Sequence, residues 1–273
     1  MNESARAFVP GHITGFFSAH HHDDPTKAGS RGAGIALSDG IRVRVEPGDG
    51  VELDGEPLEM EAVDRVLRAL DVEARVAATS AVPLGAGFGV SGALALGTAL
   101  AANDAFDRGL SENELITVAH GAEVLAGTGL GDVVGQARGG FPIRLDPGAP
   151  AYGTFDGIPA RERVEYVTFG ELSTEDVLSG DTSELTAAGR RALSTLVAEP
   201  TLGTFMYASR RFARETGLMT PKLADVITDV NEAGGEASMA MLGETVFALG
   251  SGLSDAGYDA RSCEVYLSGA HVE

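Results

Sequence analysis

The chain has 273 residues, enough for one large domain or two small ones around a buried core. Forty acidic residues against twenty basic ones give a formal charge of −20, and no basic stripe of the kind that binds nucleic acid is present. Apolar runs stay below the ~18 residues of a membrane span, and the single cysteine, Cys263, excludes an internal disulfide and a cysteine-rich zinc site. With no basic and apolar export segment at its start, the sequence predicts a cytoplasmic globular protein that binds neither nucleic acid nor membranes.

The balance of charged residues also predicts the salt concentration in which the protein works. Only Lys27 and Lys222 are lysines, so eighteen of the twenty basic residues are arginines. Acidic side chains hold water and keep a protein soluble at molar salt. An ordinary acidic cytosolic enzyme is compatible with this balance, but we favour a halophilic, archaeal type of protein adapted to a cytoplasm rich in KCl.

Hydrophobic patterning in the first half predicts three strands and two helices. Between residues 40 and 46, Ile41, Val43 and Val45 alternate with charged residues, which is typical of a half-buried strand. The segment 91–106 is rich in Ala and Leu on every side, which predicts a helix packed all round. The predicted elements in chain order are strands at 40–46 and 72–79, helices at 91–106 and 113–125, and a strand at 141–145.

A stretch rich in Gly and Pro at 147–159 is the best candidate for a domain boundary and predicts domains at 1–150 and 151–273. Strands and helices are also both predicted after this stretch. The predicted strands are 163–169, 236–241, 245–249 and 263–268, and the predicted helices are 174–179, 184–198, 203–216 and 221–233. Strands and helices mixed in both halves predict an α+β fold rather than a doubly wound sheet.

The strongest local motif is Pro83-Leu-Gly-Ala-Gly-Phe-Gly-Val-Ser-Gly-Ala93, which lies between a predicted strand and the helix rich in Ala and Leu. Alternate glycines let the backbone approach an anion, and the following helix directs free N–H groups and its positive dipole end towards that anion. The motif therefore predicts a phosphate-binding loop. Ser91, at the start of the helix, either caps the helix or binds the magnesium ion of a nucleotide.

Two common nucleotide-binding loops fit this motif poorly. A Walker A loop requires Gly-Lys-Ser/Thr, and no lysine lies near. The spacing Gly87-x-Gly89-x-x-Gly92 matches the dinucleotide-binding pattern, but that pattern is followed ~20 residues later by an acidic residue at the end of a strand. Residues 111–114 instead have the pattern of a helix start, so dinucleotide binding is disfavoured.

A second motif combines His120, Glu123 and Asp132 with several glycines. His120 and Glu123 are three residues apart on a predicted helix and so share a face. Phosphoryl transfer to an alcohol requires one carboxylate to hold Mg²⁺ and a second to take a hydroxyl proton. Each carboxylate alone is also typical of an exposed helix or turn residue, but their position after a phosphate-binding loop favours a catalytic role.

The N-terminal region holds further candidates at Pro10–Thr14, His20–Asp24 and Gly29–Gly32. Consecutive residues cannot all point at one ion, so the run of histidines and aspartates at 20–24 predicts a polar loop rather than a metal site. Gly29-Ser-Arg-Gly32 is typical of a loop that holds a small anion, with Arg31 or Lys27 supplying the charge.

Together these motifs resemble those of the GHMP kinases, the superfamily of galactokinase, homoserine kinase and mevalonate kinase. Three segments resemble its three motifs in order, namely residues 10–12, 83–93 and 234–249. The sequences Pro-Gly-His-Ile-Thr, Gly-Ser-Arg-Gly-Ala-Gly, Gly-Ala-Gly-Phe-Gly-Val-Ser-Gly and Thr-Gly-Leu-Gly-Asp-Val resemble the pantoate kinase branch in particular. The resemblance extends over nearly the whole chain.

The resemblance implies a two-domain GHMP kinase fold, with a ribosomal-S5-like N-terminal domain and a ferredoxin-like C-terminal domain. It also implies ATP-dependent phosphorylation of pantoate to 4-phosphopantoate for coenzyme A biosynthesis, with Ser91 and Glu123 holding Mg²⁺ and Asp132 acting as the base on the substrate hydroxyl. ATP would bind along the loop at Pro83, Gly85, Ala86, Gly87, Phe88, Gly89, Val90, Ser91 and Gly92. The implied pantoate pocket consists of Ser30, His120, Arg144 and Thr174.

Other functions stay open at this point. The same chemistry on another small hydroxy acid or alcohol, such as homoserine or a mevalonate-like acid, is the nearest alternative. A catalytically inactive nucleotide-binding regulator and a metal-sequestering protein that uses residues 20–24 are the others. His12 stands where many family members have lysine, and the sequence assigns it no role. The sequence also leaves open whether the protein forms a homodimer.

Overall fold

A computed structural model of the protein describes residues 4–171 and 182–273 as two β-sheets with α-helices packed against them, which confirms the predicted α+β class. The strands are β1 (Ala5–His20), β2 (Gly29–Pro47), β3 (Val51–Leu53), β4 (Glu56–Pro57), β5 (Ala74–Ser80), β6 (Phe141–Asp146), β7 (Thr154–Ile158), β8 (Arg163–Glu171), β9 (Glu236–Ala240), β10 (Gly243–Leu249), β11 (Arg261–Glu264) and β12 (His271–Val272). The helices are α1 (Glu61–Leu70), α2 (Val90–Ala105), α3 (Glu112–Ala126), α4 (Asp132–Arg138), α5 (Ser183–Ala198), α6 (Leu202–Glu215), α7 (Pro221–Glu232) and α8 (Gly252–Asp255). In the described part of the chain, no helix combines the length and the apolar character needed to cross a membrane.

The first sheet has eight strands and is built on the long antiparallel pair of β1 and β2. Its strand order is β12-β1-β2-β5-β3-β4, with β6 paired to β2 and β7 paired to β6. Ile41, Val43 and Val45 are buried along β2, as their alternation predicts. The same strand begins at Gly29, so the predicted anion-binding loop at 29–32 is wrong, because these residues pair with β1 and, at Gly32, with β6.

Strand β1 is absent from the sequence-based prediction for a physical reason. Almost all of its residues are buried, because it contacts α2, α4, α5 and α6. A strand buried on both faces has no alternation of apolar and polar residues that a sequence pattern can detect. At Gly15, the helix α6 lies so close that a Cβ would be 2.8 Å from the ring of Phe205.

Two helices that follow the glycine-rich loop match their predictions. Thirteen of the sixteen residues of α2 are buried, as its small apolar residues predict. Helix α3 begins with a capping box, in which the Ser111 hydroxyl accepts from the Glu114 N–H and the Glu114 carboxylate accepts from the Ser111 N–H. This cap explains why residues 111–114 have the pattern of a helix start and not that of an acidic strand end.

The second sheet is antiparallel, in the order β11-β8-β10-β9, and packs with α6, α7 and α8. The predicted helix at 174–179 lies outside the described residues. The boundary between residues 150 and 151 stays a prediction; β7, which follows it, pairs with β6, and the chain ends in β12 beside β1.

Aromatic side chains join the two sheets. The ring of Phe205, on α6, lies 6.3 Å from Phe16 of β1, 6.0 Å from Phe141 of β6 and 6.3 Å from Phe247 of β10. All four side chains are buried. Such tilted and edge-to-face pairs add to the stabilisation from buried apolar area, so this cluster fixes the second sheet against the first.

Candidate active site

The glycine-rich loop connects β5 to α2 at residues 81–89. Gly85, Gly87 and Gly89 have left-handed φ values of 75°, 88° and 64°, which non-glycine residues adopt only with strain. A Cβ at Gly87 would also lie 3.0 Å from the carbonyl oxygen of Met241. The loop therefore packs onto the turn between β9 and β10, and the Thr245 hydroxyl donates a hydrogen bond of 2.8 Å to the carbonyl oxygen of Ala86.

A cavity of about 420 Å³ lies beside this loop. It is lined by residues 84–85, 87–91, 128–132 and 241–242, together with Thr14 and Phe17 of β1, Ser30 of β2, Met60 before α1 and Arg144 of β6. Glycine at position 89 is the N-cap of α2 and has no side chain to occupy the first N–H groups of the helix. The positive end of the helix dipole therefore lies at the cavity, where a phosphate would be stabilised.

Ser91 does not cap the helix. Its hydroxyl donates to Oε2 of Glu123 on the neighbouring helix α3 at 3.1 Å, and the Thr128 hydroxyl donates to Oε1 at 2.7 Å. Glu123 is only 2% exposed. Burial raises the pKa of Glu123 to about 7, the charge of Asp132 adds to the rise, and the hydrogen bonds from Thr128 and Ser91 oppose it.

Asp132 is the first residue of α4 and its side chain is 26% exposed. Its Oδ1 lies 2.7 Å from Nδ1 of His12 and accepts a bond of 3.3 Å from the Thr14 hydroxyl. Burial raises the pKa of Asp132, but the hydrogen bonds from His12 and Thr14 and the charge of Arg144 outweigh burial and hold that pKa below its usual value. Asp132 is therefore ionised at neutral pH and faces the cavity as a carboxylate.

Arg144 supplies a buried positive charge to the same cavity. It is 1% exposed, and its Nε and Nη1 have no hydrogen-bond partner among the described residues. A Cβ at Gly131 would lie 2.9 Å from Nε of Arg144 and would collide with the Ser30 hydroxyl, so these two side chains converge on one point. Burial lowers the pKa of Arg144, and the charge of Asp132 opposes this. Free, buried N–H donors of this kind suit a carboxylate ligand.

Several known proteins are similar to this chain. A family model of the GHMP kinases N terminal domain matches residues 58–140. The pantoate kinase of Thermococcus kodakarensis is 38% identical over 262 residues, covering 89% of this chain and 87% of the relative. That of Methanocaldococcus jannaschii is 34% identical over 250 residues, covering 89% and 91%. The solved structure of a phosphotransferase related to the CoA biosynthesis pathway superposes with a TM-score of 0.86 at 34% identity, covering 99% of this chain and 98% of that one.

The chain belongs to the GHMP kinase family. Its GHMP kinase fold, inferred from the resemblance of three motifs, is thereby confirmed. Within this GHMP kinase, the structure brings Ser30, Ser91, Asp132 and Arg144 to the cavity lining, and the carboxylate of Glu123 lies directly behind Ser91.

Other residues singled out by sequence lie elsewhere. His120 is buried, and its Nε2–H donates to the carbonyl oxygen of Ala28 at 2.8 Å; it lies outside the described lining of the cavity. Burial lowers its pKa, and the Ala28 bond opposes this. Pro83 lines a separate surface cleft beside Tyr166. Ala86 and Gly92 are buried. Thr174 lies outside the described residues.

The two alternative cations near the N-terminus are already paired. Lys27 lies 3.6 Å from Asp24, and Arg31 lies 2.9 Å from Asp146. Across residues 4–171 and 182–273, no group of three or more His, Cys, Asp or Glu side chains is arranged to hold a metal ion, so the run at 20–24 gives no support to metal sequestration.

Three contributors to this GHMP kinase site are not predictable from sequence patterns. His12 and Thr14 reach Asp132 from β1, and the Gln136 side chain donates to the carbonyl oxygen of Gly89 at 2.9 Å. His12 and Thr14 belong to the motif at residues 10–14, but the contact of His12 is 120 residues away along the chain. Only the pairing of β1 within the sheet brings it to α4.

Proposed function

We propose that this protein is an ATP- and Mg²⁺-dependent kinase that transfers the γ-phosphoryl group of ATP to the primary hydroxyl of pantoate. The observation that carries the proposal is Arg144, which lines the same cavity as the glycine-rich loop and Asp132 and whose buried Nε and Nη1 have no hydrogen-bond partner among the described residues. A cavity that holds both a phosphate-binding loop and a cation suited to a carboxylate fits an anionic hydroxy acid as the acceptor. The pantoate kinases that cover 89% of this chain support this choice of acceptor.

The glycine-rich loop would bind the polyphosphate of ATP. Its left-handed glycines let backbone N–H groups approach the phosphate oxygens, and the uncapped end of α2 adds a positive dipole. A side chain at Gly87 would strike the turn at 241–243 and push the loop away from this position.

Ser91 and Glu123 would hold the magnesium ion, because their adjacent oxygens are the hard ligands that Mg²⁺ prefers. When bound, the ion would supply positive charge against the negative charge that develops during phosphoryl transfer. Metal binding requires Glu123 to be ionised, and its raised pKa means that a proton leaves when the ion binds.

Asp132 would orient the pantoate hydroxyl and take its proton. Because its pKa is held low, its carboxylate is available as an acceptor at neutral pH. Arg144 and Ser30 would fix the other end of the substrate, so that the hydroxyl lies between Asp132 and the γ-phosphate.

The charge of −20 supports a further part of the proposal, a working environment in the KCl-rich cytoplasm of a halophilic archaeon. Self-repulsion among the acidic side chains is screened at high salt.

The experiment is product identification by mass spectrometry after incubation with ATP, Mg²⁺ and a panel of pantoate, homoserine and mevalonate. Pantoate should gain one phosphoryl group while ATP becomes ADP, and the other two acceptors should react far more slowly. Asp132→Asn is the matched control, because it keeps the size and hydrogen bonding of the base but cannot take the proton; we expect ~10²–10⁴-fold slower turnover with ATP binding little changed. Faster phosphorylation of homoserine or mevalonate would contradict the proposed acceptor, and ATP binding without any turnover would indicate an inactive regulator.

A further inference from the structure

His12 is held in place by contacts with the glycine-rich loop, α4 and β2. Its ring is fully buried, and its backbone N–H donates to the carbonyl oxygen of Phe88 in the glycine-rich loop at 2.9 Å. A Cβ at Gly135 of α4 would lie 2.8 Å from His12 Nε2, and a Cβ at Gly34 of β2 would collide with the ring. Gly34 and Gly135 therefore leave room for the imidazole ring but allow it little movement.

The surroundings determine which nitrogen carries the proton. Nδ1 faces Oδ1 of Asp132 at 2.7 Å, whereas Nε2 is buried without a partner among residues 4–171 and 182–273. A proton on Nε2 would be a buried donor with no acceptor, which is costly. Burial also lowers the pKa of His12 against the opposing bond to Asp132. The ring is therefore neutral, with its proton on Nδ1 donated to Asp132.

The two oxygens of Asp132 have different surroundings. Oδ1 accepts from both His12 and Thr14. Oδ2 lies near Gly129 instead. A Cβ at Gly129 would be 3.8 Å from Oδ2 and would collide with Oε2 of Glu123. Gly129 lines the cavity, as Asp132 does, so Oδ2 lies on the cavity side of the carboxylate, next to Gly129.

We propose that His12, assisted by Thr14, is a positioning residue for the base: as a neutral donor it anchors Oδ1 of Asp132 and leaves Oδ2 as the atom that takes the proton of the substrate hydroxyl. The inference rests on the proposed kinase function. In the step itself, the hydroxyl O–H bond breaks, its proton moves to Oδ2, the hydroxyl oxygen bonds to the γ-phosphorus, and the bond to ADP breaks with its electron pair leaving on ADP. His12 neither gains nor loses a proton.

The contact with Phe88 gives the arrangement a second use. One strand residue holds the base through its ring and the phosphate-binding loop through its backbone. The distance between the base and the γ-phosphate would thus be set by one residue of β1, which is the type of alignment that catalysis by proximity requires.

Three variants of His12 and Thr14 separate positioning from structure. His12→Ala removes the donor, and kcat should fall ~10–100-fold, the loss expected for one hydrogen bond to a charged group, with the KM for ATP within about twofold. In His12→Asn an amide N–H can take the place of Nδ1–H, so most of the lost kcat should return. Thr14→Val keeps the side-chain shape without the hydroxyl and should lower kcat by a smaller factor. Unchanged kcat in both His12→Ala and Thr14→Val, or equal losses in His12→Ala and His12→Asn when both melt as the parent does, would overturn the proposal.

A measurement independent of turnover tests the same contact. In ¹⁵N-histidine-labelled protein at pH 7, long-range ¹H–¹⁵N spectra should show His12 neutral with Nδ1 protonated, and the Nδ1 signal should shift in Asp132→Asn. A charged ring or an Nε2–H tautomer would contradict the inference even in an active enzyme. Failure of the parent protein to phosphorylate pantoate would instead refute the proposed function, and the spectra would still decide whether His12 donates to Asp132. If His12→Ala does not fold, the Asn and Val variants together with the spectra decide between positioning and structure.

Discussion

Ser91 and Glu123 lie on neighbouring helices, and the Ser91 hydroxyl donates to Oε2 of a carboxylate that is 32 residues away in sequence and almost fully buried. Among residues 4–171 and 182–273, this carboxylate accepts hydrogen bonds from two neutral hydroxyls, those of Ser91 and Thr128. Burial raises the pKa of Glu123 to about 7, and the negative charge of Asp132 adds to the rise. The pair is therefore suited to receive a cation and is destabilising without one.

Replacing Glu123 by Gln should stabilise the metal-free protein at neutral and alkaline pH. The pKa of Glu123 is raised from 4.5 to about 7 on folding, so between these values the folded protein binds more protons than the unfolded chain and stability falls as pH rises. The gain in Glu123→Gln relative to the parent should grow from pH ~5 to ~8, by up to ~3 kcal/mol. Urea unfolding in the presence of EDTA at several pH values measures this difference. A pH-independent difference would show that Glu123 titrates normally.

Gly131 should be intolerant of alanine because of its neighbours, not its backbone. Its φ of −172° is available to any residue, but a Cβ would be 2.9 Å from Arg144 Nε and would collide with the Ser30 hydroxyl. We expect Gly131→Ala to raise the KM for pantoate ~10-fold or more, since small misplacements of binding groups are costly.

Gly121→Ala is the matched control for this variant. Gly121 lies inside α3 with nothing within 4 Å of its Cβ position, so alanine should stabilise the helix by ~0.5–1 kcal/mol and leave both KM values unchanged. Kinetics and thermal melts of the two variants decide the point. Similar KM values in Gly131→Ala and the parent would show that Ser30 and Arg144 do not form the pocket.

Part of the site beside the glycine-rich loop was predictable from local sequence. Glycines before a helix of small residues, a serine in its first turn, a carboxylate on the next helix and another after the glycine-rich turn that follows are each local patterns. The structure brings Ser91, Glu123 and Asp132 together as expected. The relation of His12 to Asp132 was not predictable, because it depends on strand pairing over 120 residues. A strand with both faces covered leaves no periodic pattern from which its register could be inferred.

The error at Gly29–Gly32 has a related cause. Glycines and small polar residues are typical of loops, but here they are needed because β1 approaches β2 closely: a Cβ at Gly32 would lie 2.9 Å from the Cα of Phe17. Local composition does not distinguish a turn from a tightly packed strand. Ser30 reaches the cavity nonetheless, from a strand instead of a loop.

Salt should stabilise this protein. The charge of −20 destabilises the compact state by self-repulsion, which is screened as the Debye length falls to ~3 Å at 1 M salt. Salt also weakens surface ion pairs such as Arg31–Asp146, but such exposed pairs contribute only ~0–1 kcal/mol each. We therefore expect melting temperature and kinase activity to rise between ~0.1 and ~2 M KCl. A flat melting temperature over that range would contradict the halophilic assignment without affecting the proposed kinase activity.

Arg144 provides the sharpest test of the acceptor. An acidic protein repels an anionic substrate unless a cation is reserved for it, and Arg144 is buried in the cavity with Nε and Nη1 unpaired among the described residues. Arg144→Ala should raise the KM for pantoate ~10–100-fold, equivalent to ~1.5–3 kcal/mol of charge-assisted bonding, with the KM for ATP nearly unchanged. Arg144→Lys should restore only part of the loss, because an ammonium group cannot reproduce a planar, bidentate fork.

Arg31→Ala is the control for a change in net charge alone. Its guanidinium already pairs with Asp146 and is 39% exposed, so its loss should change the KM for pantoate by no more than about twofold. Steady-state kinetics with pantoate and ATP varied separately give the KM for each substrate in Arg31→Ala and in Arg144→Ala. If Arg31→Ala raises the KM for pantoate and Arg144→Ala does not, the carboxylate binds outside the cavity, because neither Arg31 nor its partner Asp146 lines it. An equal rise of both KM values in Arg144→Ala would instead mean that the buried charge maintains the shape of the cavity and does not bind the acceptor.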